Sequence, residues 1–478
     1  MAFQTFSYFV FLAVMMAGYF VLPVRMRWAL LLAGSYFFYM CWNASYALLM
    51  LLSTAVTYLC GVMLGRVQTL KAKKGCVAAS LVINLSILFF FKYYGLLSGT
   101  LNGLPGGFVH LPEINVLLPV GISFYIFQAL GYTIDVYRGD IEPVRHFGKY
   151  ALFVSFFPQL VAGPIERSGN LIKQFDEVHR PDFESMRRGA VMILLGLIKK
   201  LVIADRLAVF TDHVYADAAA YGAPAVIAAT VCFAFQIYCD FSGYSDLAIG
   251  SASLLGFRLM KNFDRPYFSR SIGEFWRRWH ISLSSWFRDY LYFPLGGSRV
   301  NAGRWAFNIL LVFLVSGLWH GAAWTFAAWG LLNGVYQVVG RFTKNGRDAL
   351  WKAAGVNPDG RFRACVATAV TFALTLLAWM VFRADSFMQL WTLLGRLVSG
   401  WEFESLLLLI HQVNGRECLM MALLVAALLA AEWPKSDVTE RILTLPAWAR
   451  WSLSLALLFV LILFGKYNES PAFIYFQF

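Results

Sequence analysis

The sequence predicts an all-α polytopic membrane protein, and both composition and the length of the apolar runs support this fold class. Of the 478 residues, 59% are hydrophobic and 14% are charged, and the mean hydropathy is +0.61. A soluble domain of this size does not need so much apolar surface, whereas a bundle of membrane-spanning helices does. The 38 glycines and 43 phenylalanines are typical of close helix packing and of lipid-facing aromatic surfaces.

The apolar runs predict about eleven or more membrane-spanning helices in a single membrane domain that covers residues 1–478. The predicted spans lie at about 6–24, 28–43, 45–65, 76–100, 117–135, 189–210, 222–241, 305–340, 364–382, 417–433 and 450–465. Residues 305–340 form either two crossings or one crossing and a re-entrant turn. Residues 150–162 and 386–411 are apolar but short or interrupted, which is typical of re-entrant or interfacial segments.

The basic residues predict the orientation in the membrane. The first of them, Arg25 and Arg27, follow the first apolar run, which predicts an uncleaved first span with its N-terminus outside. The basic segments 66–74, 258–304 and 341–363 should face the cytoplasm, and the tail 465–478 should then lie outside. The net charge of +13 is explained by these loops, so nucleic-acid binding is not expected. The seven cysteines are scattered without metal-like spacing, so neither a disulfide framework nor a metal site is expected.

One histidine lies deep in an apolar stretch. Arg304 is the last charged residue before His320 and Arg341 is the next after it. If the stretch is helical, His320 lies roughly 24 Å from Arg304, most of the way across a hydrocarbon core of about 30 Å. An ionisable group at that depth usually faces a polar cavity, although a packing histidine bonded to a carbonyl is the alternative. His320 is therefore a candidate general base or acid, and Trp319 and Trp324 are expected to keep its surroundings dry.

The segment 258–304 mixes basic and aromatic residues and is neither an ordinary span nor a solvated loop. An amphipathic or re-entrant helix at the inner interface fits this pattern. Either it anchors lipid headgroups, or it forms a cationic mouth for an anionic donor such as a CoA ester. Arg277, Arg278 and Arg288 are the candidate phosphate contacts, because guanidinium matches phosphate geometry. His280 either orients the donor and shares the proton transfer or has a structural role.

Several polar residues cluster at the end of the seventh predicted span, which is too many for a lipid-facing surface. They are expected either to line the cavity or to bond to the segment 270–298. The residues of this group are Gln236, Asp240, Ser242, Tyr244, Ser245 and Asp246.

Three motifs in this order and spacing resemble the membrane-bound O-acyltransferase family, in the bacterial branch of alginate and peptidoglycan O-acetyltransferases. They are Phe275-Trp-Arg-Arg-Trp-His280, Phe287-Arg-Asp-Tyr-Leu-Tyr-Phe-Pro-Leu-Gly-Gly297 and Gly317-Leu-Trp-His320-Gly. Further similar stretches run from Leu118 to Tyr125, from Phe157 to Pro164 and from Tyr238 to Asp246. The resemblance extends from the first span to the last residue.

The resemblance implies a ring of tilted helices around a thinned centre, where a cytoplasmic tunnel and an external funnel meet near the catalytic histidine. It implies transfer of an acetyl group from acetyl-CoA, without a metal, to a glycan outside the bacterial inner membrane. An extracytoplasmic acetyltransferase or esterase-like partner protein would complete the transfer. The implied acceptors are alginate, peptidoglycan or cellulose, and a similar sister branch transfers D-alanine to teichoic acid. The motif Ala162-Gly-Pro-Ile-Glu-Arg167 is widespread in the branch and differs from the variant of dedicated alginate enzymes, which weakens the alginate assignment.

The C-terminal tail carries the remaining candidate. Tyr475 lies among phenylalanines on the predicted external side and could accept the acyl group as a covalent nucleophile near a base. The alternative is an aromatic belt at the membrane interface.

Two other classes of protein remain as rivals to the enzyme. A transporter is expected to contain inverted repeats, and the sequence shows none. A scaffold for a glycan assembly complex is expected to tolerate the loss of His320.

Overall fold

Every regular element that the structure describes is a helix. The structure is a computed structural model, and it describes residues 1–104, 110–114, 117–357, 359–467 and 474. The prediction of an all-α fold is therefore confirmed for this part of the chain.

The helices fall into two compact units. The first unit comprises Met1–Ile193 and Tyr244–Lys261, and the second comprises Leu194–Gly243 and the chain from Asn262 onward. The first unit holds α1 (Phe6–Val21), α2 (Val24–Met40), α3 (Ala44–Arg66), α4 (Leu70–Leu88), π1 (Phe89–Tyr93), α5 (Tyr94–Asn102), α6 (Ile122–Arg138), α7 (Phe147–Ser155), α8 (Phe157–Leu160) and α9 (Ser168–Gln174). Two helices are shared in sequence between the units, α10 (Phe183–Leu197) and α12 (Ala223–Leu254). That the two units belong to one membrane domain stays a prediction from the sequence.

The second unit contains the remaining helices. They are π2 (Ile198–Ala204), α11 (Asp205–Ala216), a 3₁₀ turn (Pro266–Phe268), α13 (Ile272–Arg278), α14 (Ile281–Phe287), π3 (Arg288–Tyr292), α15 (Ala302–His320), α16 (Trp324–Phe342), α17 (Lys344–Ala353), α18 (Arg361–Arg383), α19 (Phe387–Ser399), α20 (Glu404–Val413), α21 (Gly415–Glu432), α22 (Val438–Thr444) and α23 (Ala447–Phe464).

Six of the described helices are long and apolar enough to cross a membrane, which agrees with a multi-pass membrane protein. They are Ala44–Arg66, Leu70–Asn102, Ala223–Leu254, Ala302–His320, Arg361–Arg383 and Ala447–Phe464. A seventh candidate is the pair α20 and α21, whose axes are bent by 94°. The predicted span 305–340 is two helices, α15 and α16, separated by a short turn.

One predicted boundary is wrong. The seventh span was expected to end near residue 241, but α12 continues to Leu254. The stretch from Asp240 to Asp246 therefore lies in the middle of a helix. The helix continues because small and apolar residues, which favour helical packing, follow this stretch up to Leu254.

The helices α15 and α16 approach one another at two glycines. A Cβ on Gly317 would lie 2.2 Å from the carbonyl oxygen of Phe326 and 3.0 Å from Cα of Gly330. A Cβ on Gly330 would lie 2.3 Å from the carbonyl oxygen of Phe313. Small residues allow helix backbones in a membrane to approach this closely. The contact fixes the end of α15, where His320 follows Gly317 by about one helical turn.

The segment 258–304 is broken into short helices, in agreement with the expectation that it is neither a span nor a solvated loop. Ser271 caps α13 by accepting a hydrogen bond from the backbone N–H of Glu274 at 3.1 Å. Farther along, Asn301 caps α15 through the N–H of Arg304 at 2.9 Å. The aromatic residues of the segment that lie in the core include Phe263, Tyr267, Phe275, Trp276, Trp279, Trp286 and Phe287.

Candidate active site

The histidine predicted from depth alone ends a membrane-length helix. His320 is the last residue of α15 and is 3% exposed. Its ring meets three aromatic rings edge to face, with centroids 4.9 Å away at Trp329, 5.1 Å at Trp319 and 5.7 Å at Phe382. The extended backbone of Gly321 ends the helix, so His320 lies at a helix terminus.

The second histidine, His280, is fully buried and is held by Asn262. Its backbone lies in the left-handed region, with φ of +43°, at the residue that precedes α14. Asn262 Oδ1 lies 3.1 Å from His280 Nδ1, and it also accepts from the N–H of Ser282 at 3.2 Å and from its hydroxyl at 2.9 Å. Because a backbone N–H can only donate, the contact with Ser282 fixes this atom of Asn262 as the acceptor oxygen. His280 Nδ1 must then carry the proton, and Nε2 carries the lone pair.

Burial decides the charge of this imidazole. His280 lies outside the helices long enough to span the membrane, and burial lowers its pKa to about 3. Desolvation disfavours the charged form because the surrounding residues cannot replace the lost hydration. The side chain is therefore neutral at physiological pH.

The structure brings the two histidines together within the second unit. Their ring centroids are 6.4 Å apart, and Trp319 contacts both, with its centroid 5.9 Å from that of His280. A direct hydrogen bond needs heavy atoms at about 3 Å, so the two rings do not bond one another. The two histidines are therefore neighbours in one aromatic cluster without a direct bond between them.

Tryptophan rings enclose the site. Trp279, Trp329 and Trp379 are among the largest fully buried side chains of the described chain. Trp379 of α18 stacks on Trp329 with centroids 6.1 Å apart and lies 4.9 Å from the ring of Trp279. A site enclosed in this way has a low local dielectric constant, which strengthens charge interactions during proton transfer.

Of the two tryptophans expected to keep the surroundings of His320 dry, one is buried and one is exposed. Trp319 is buried, 3% exposed, and contacts both histidines. Trp324 is 52% exposed at the start of α16, because the turn after His320 directs the chain out of the aromatic cluster. Trp329 and Phe382 take the place expected for Trp324.

The polar stretch of α12 is divided between the two units. In the second unit Gln236, Asp240 and Ser242 are buried, and Asp240 pairs with Lys200 at 2.7 Å. In the first unit Tyr244 donates a hydrogen bond to Gln4 at 2.8 Å, and Asp246 is half-buried. None of the described contacts joins Gln236 or Ser242 to the segment 270–298, and their role as cavity-lining residues stays a prediction.

The three predicted phosphate contacts differ in their surroundings. Arg278 pairs with Glu274 at 2.5 Å, and Arg288 pairs with Asp289 at 2.7 Å. Arg277 is exposed on α13, and in the described residues no carboxylate lies within ion-pair distance of it. Arg277 is therefore the best placed of the three to take an external phosphate group.

Sequence reasoning missed several residues that the structure adds to the site. Asn262 and Ser282 position His280, while Trp379 and Phe382 come from α18, more than fifty residues after His320. Lys200 lies in an apolar run, and an ionisable residue within such a run is a signal that could have identified it.

The predicted tail residue Tyr475 lies outside the described residues. Its neighbour Ile474 is described and is 3% exposed, and its N–H donates to Asp240 Oδ2 at 2.8 Å.

Comparison with known proteins identifies the family. The profile of the membrane-bound O-acyltransferase family matches residues 144–379. The chain is 38% identical over 405 residues to the probable alginate O-acetylase AlgI of Pseudomonas aeruginosa, covering 83% of this chain and 75% of that protein. It is 35% identical over 409 residues to the peptidoglycan O-acetyltransferase of Helicobacter pylori, covering 79% of this chain and 76% of that one. A more distant match is the teichoic acid D-alanyltransferase of Bacillus subtilis, 26% identical over 66% of this chain and 80% of that protein. With these matches and two buried histidines in one aromatic cluster, the chain belongs to the membrane-bound O-acyltransferase family and is an O-acyltransferase.

Proposed function

We propose that this protein transfers an acetyl group from acetyl-CoA on the cytoplasmic side to a hydroxyl group presented from outside, for O-acetylation of an extracytoplasmic polysaccharide. The observation that carries the proposal is the placement of His320 and His280 in one buried aromatic cluster at the end of a membrane-length helix. Such a pair has the proton chemistry that acyl transfer to a hydroxyl requires.

The two histidines are assigned different parts of the proton transfer. His320 accepts the proton of the attacking hydroxyl as its oxygen bonds to the acetyl carbon and the carbon–sulfur bond of the thioester breaks. The departing thiolate then takes this proton from His320 and leaves as the thiol. His280, neutral and protonated on Nδ1, can accept a hydrogen bond at Nε2 from the hydroxyl and orient it. His320 is the base and His280 is a positioning group in this assignment.

The donor is assigned to the basic segment on the cytoplasmic side. Arg277, with Arg278 and Arg288 beside it in sequence, would contact the phosphates of acetyl-CoA, because guanidinium forms paired hydrogen bonds with phosphate oxygens. The exposure of Arg277 supports this assignment. The other interpretation of the segment, contact with lipid headgroups, uses the same chemistry.

The acceptor is proposed to be alginate or peptidoglycan. Relatives named for each of these polymers match the chain at 35–38% identity, whereas the teichoic acid D-alanyltransferase is more distant. D-alanyl transfer is therefore the weaker alternative.

The finer topology is part of the proposal. We expect about eleven or more crossings, and α1, an apolar helix of 16 residues, supports a crossing beyond the six longer helices. The helices are expected to surround a thinned centre in which a cytoplasmic tunnel and an external funnel meet near His320. The protein is placed in the bacterial inner membrane with both termini outside.

The last step is assigned to the tail and a partner. Tyr475 would receive the acetyl group through its phenolic oxygen, with His320 or a group near it accepting the phenolic proton. An extracytoplasmic acetyltransferase or esterase-like protein would then pass the group to the glycan.

The test is acetate release from purified cell-envelope polysaccharides. A deletion strain is compared with strains restored by wild type or by His320→Ala, with expression of each variant verified by immunoblot. We expect one polymer to lose acetate on deletion and only wild type to restore it, because His320→Ala removes the base but no span. Full restoration by a well-expressed His320→Ala protein would refute the enzyme assignment and favour the scaffold or transporter.

A further inference from the structure

The end of the chain returns to the second unit through three main-chain contacts. The carbonyl of Phe464, the last residue of α23, accepts from Arg206 Nη2 at 2.8 Å. The N–H of Lys466 then donates to the carbonyl of Leu201 at 3.0 Å. Eight residues later, the N–H of Ile474 donates to Asp240 Oδ2 at 2.8 Å. Main-chain contacts of this kind hold Phe464, Lys466 and Ile474 whatever their side chains are.

The last of these contacts is made by a buried cluster of charges. Lys200 Nζ lies 2.7 Å from Asp205 Oδ1 and 2.7 Å from Asp240 Oδ1. The three side chains are between 1% and 4% exposed. Replacing buried ion pairs by apolar residues of similar volume is often neutral or stabilising, so stability alone is weak grounds for such a cluster. A role in fixing one arrangement of the chain is better supported, because Asp240 uses one carboxylate oxygen for Lys200 and the other for the tail.

The local backbone brings these groups together. Lys200 and Leu201 lie in π2, a π-helical turn, and such turns occur frequently at functional sites. A Cβ on Gly243 would lie 2.8 Å from the carbonyl oxygen of Gly196 and 3.3 Å from the N of Lys200. Only glycine permits α12 to approach the end of α10 and the start of π2 this closely, which places Asp240 within reach of Lys200.

We infer that Lys200, Asp205 and Asp240 form a tail clamp, which holds the chain at Ile474 and is needed for acetyl transfer through the tail. The inference rests on the proposed function, in which Tyr475 receives the acetyl group. The clamp residues are positioning residues, since they act on the reaction only through the tail. Loss of the clamp should therefore impair transfer to the acceptor while donor binding remains.

The experiment removes the contact from the tail side. Ile474→Pro deletes the N–H that donates to Asp240 and leaves the buried charges intact. Ile474→Val is the matched control, because it keeps the N–H and a similar apolar side chain. Purified protein is reconstituted in nanodiscs. Hydrogen–deuterium exchange is followed by mass spectrometry on the tail peptide, with peptides of α15 as the measure of folding.

In Ile474→Pro we expect amide exchange of the tail peptide to rise about tenfold with α15 unchanged, because the tail then opens locally. Transfer of labelled acetyl to the acceptor should fall on the order of tenfold or more, since a group displaced by about 1 Å reacts much more slowly. Binding of acetyl-CoA should match wild type, and Ile474→Val should match wild type in all three measurements. Asp240→Ala removes the acceptor of the same hydrogen bond. It should lower acetyl transfer in the same way in protein whose α15 peptides show wild-type exchange.

Unchanged tail exchange in Ile474→Pro, or a released tail with full transfer, would overturn the clamp. Neither outcome bears on His320, whose removal is tested separately by acetate release from the polysaccharides. Absence of transfer by wild-type protein with its partner would instead count against the proposed function.

Discussion

Addition of one methyl group at Gly317 tests whether the contact between α15 and α16 positions His320, the proposed base. The Cβ of Gly317→Ala would lie 2.2 Å from the carbonyl oxygen of Phe326. A carbon–oxygen contact normally lies at about 3.3 Å, so the helices must separate by about 1 Å at this point. The atom in the way belongs to the backbone, so rotation of a side chain cannot relieve the clash. Overpacking of this kind costs about 1–3 kcal/mol.

His320 lies one turn beyond Gly317 and moves with it. A displacement of about 1 Å at a reacting group can lower the rate on the order of 10²-fold. We therefore expect Gly317→Ala to lose acetyl transfer to about that extent, with acetyl-CoA binding retained and a lower melting temperature. Initial rates in proteoliposomes and thermal melting by tryptophan fluorescence measure these effects. Gly340→Ala, in α16, is the control, since a Cβ there has no neighbour within 4 Å. A folded Gly317→Ala protein with the wild-type rate would refute the reasoning.

Two further predictions concern the segment 258–304. Arg277→Gln should raise the KM for acetyl-CoA about tenfold with less effect on kcat, because a charge-assisted hydrogen bond to phosphate is lost. Arg288→Gln should raise the KM less, since Arg288 is already paired with Asp289. Equal KM values for wild type and Arg277→Gln would favour the lipid-anchor interpretation. His280→Asn should make stability less sensitive to acid. Because the pKa of His280 in the fold is about 3 and an unfolded histidine titrates near pH 6.5, the unfolded chain binds more protons between these values. Stability therefore falls as pH drops below about 6.5, by about 1.4 kcal/mol between pH 7.5 and 5.5. Asparagine tolerates the left-handed backbone at position 280, and its side-chain amide can still donate a hydrogen bond to Asn262. If urea unfolding shows the same loss of stability in acid for wild type and His280→Asn, the buried neutral state of His280 is contradicted.

The helices could be predicted because their signals are local. The run from Ala44 to Arg66 is long, apolar and free of internal charge, and it is a single helix. The run 305–340 is also free of charged residues, and it forms the two helices α15 and α16. The end of α12 could not be predicted in the same way. The polar residues from Asp240 to Asp246 predict the end of a membrane span. In the fold they are mostly buried by contacts with residues distant in sequence, such as Lys200.

The site was predictable only where one residue carries its own signal. His320 is ionisable at a depth where such groups are costly, and His280 lies in a specific motif. Asn262 is 18 residues before His280, and nothing in its sequence surroundings indicates a bond to that ring. The aromatic partner expected at Trp324 is instead Trp329, because the direction of the chain after His320 depends on the packing of Gly317 against Gly330. Contacts between separate helices decide such positions, and a single sequence does not record them.

The environments of the two histidines suit them to different tasks. Asn262 accepts from the ring of His280 and from Ser282, so the imidazole is fixed in orientation and tautomer. A group whose pKa is about 3 is a weak base at neutral pH, and efficient general bases have a pKa near the working pH. His280 is therefore better suited to orient a hydroxyl than to remove its proton. In the proposed mechanism the proton is then accepted by His320, which lies at the end of α15 against the rings of Trp319, Trp329 and Phe382. The proposed division of roles follows from the different contacts of two chemically identical side chains.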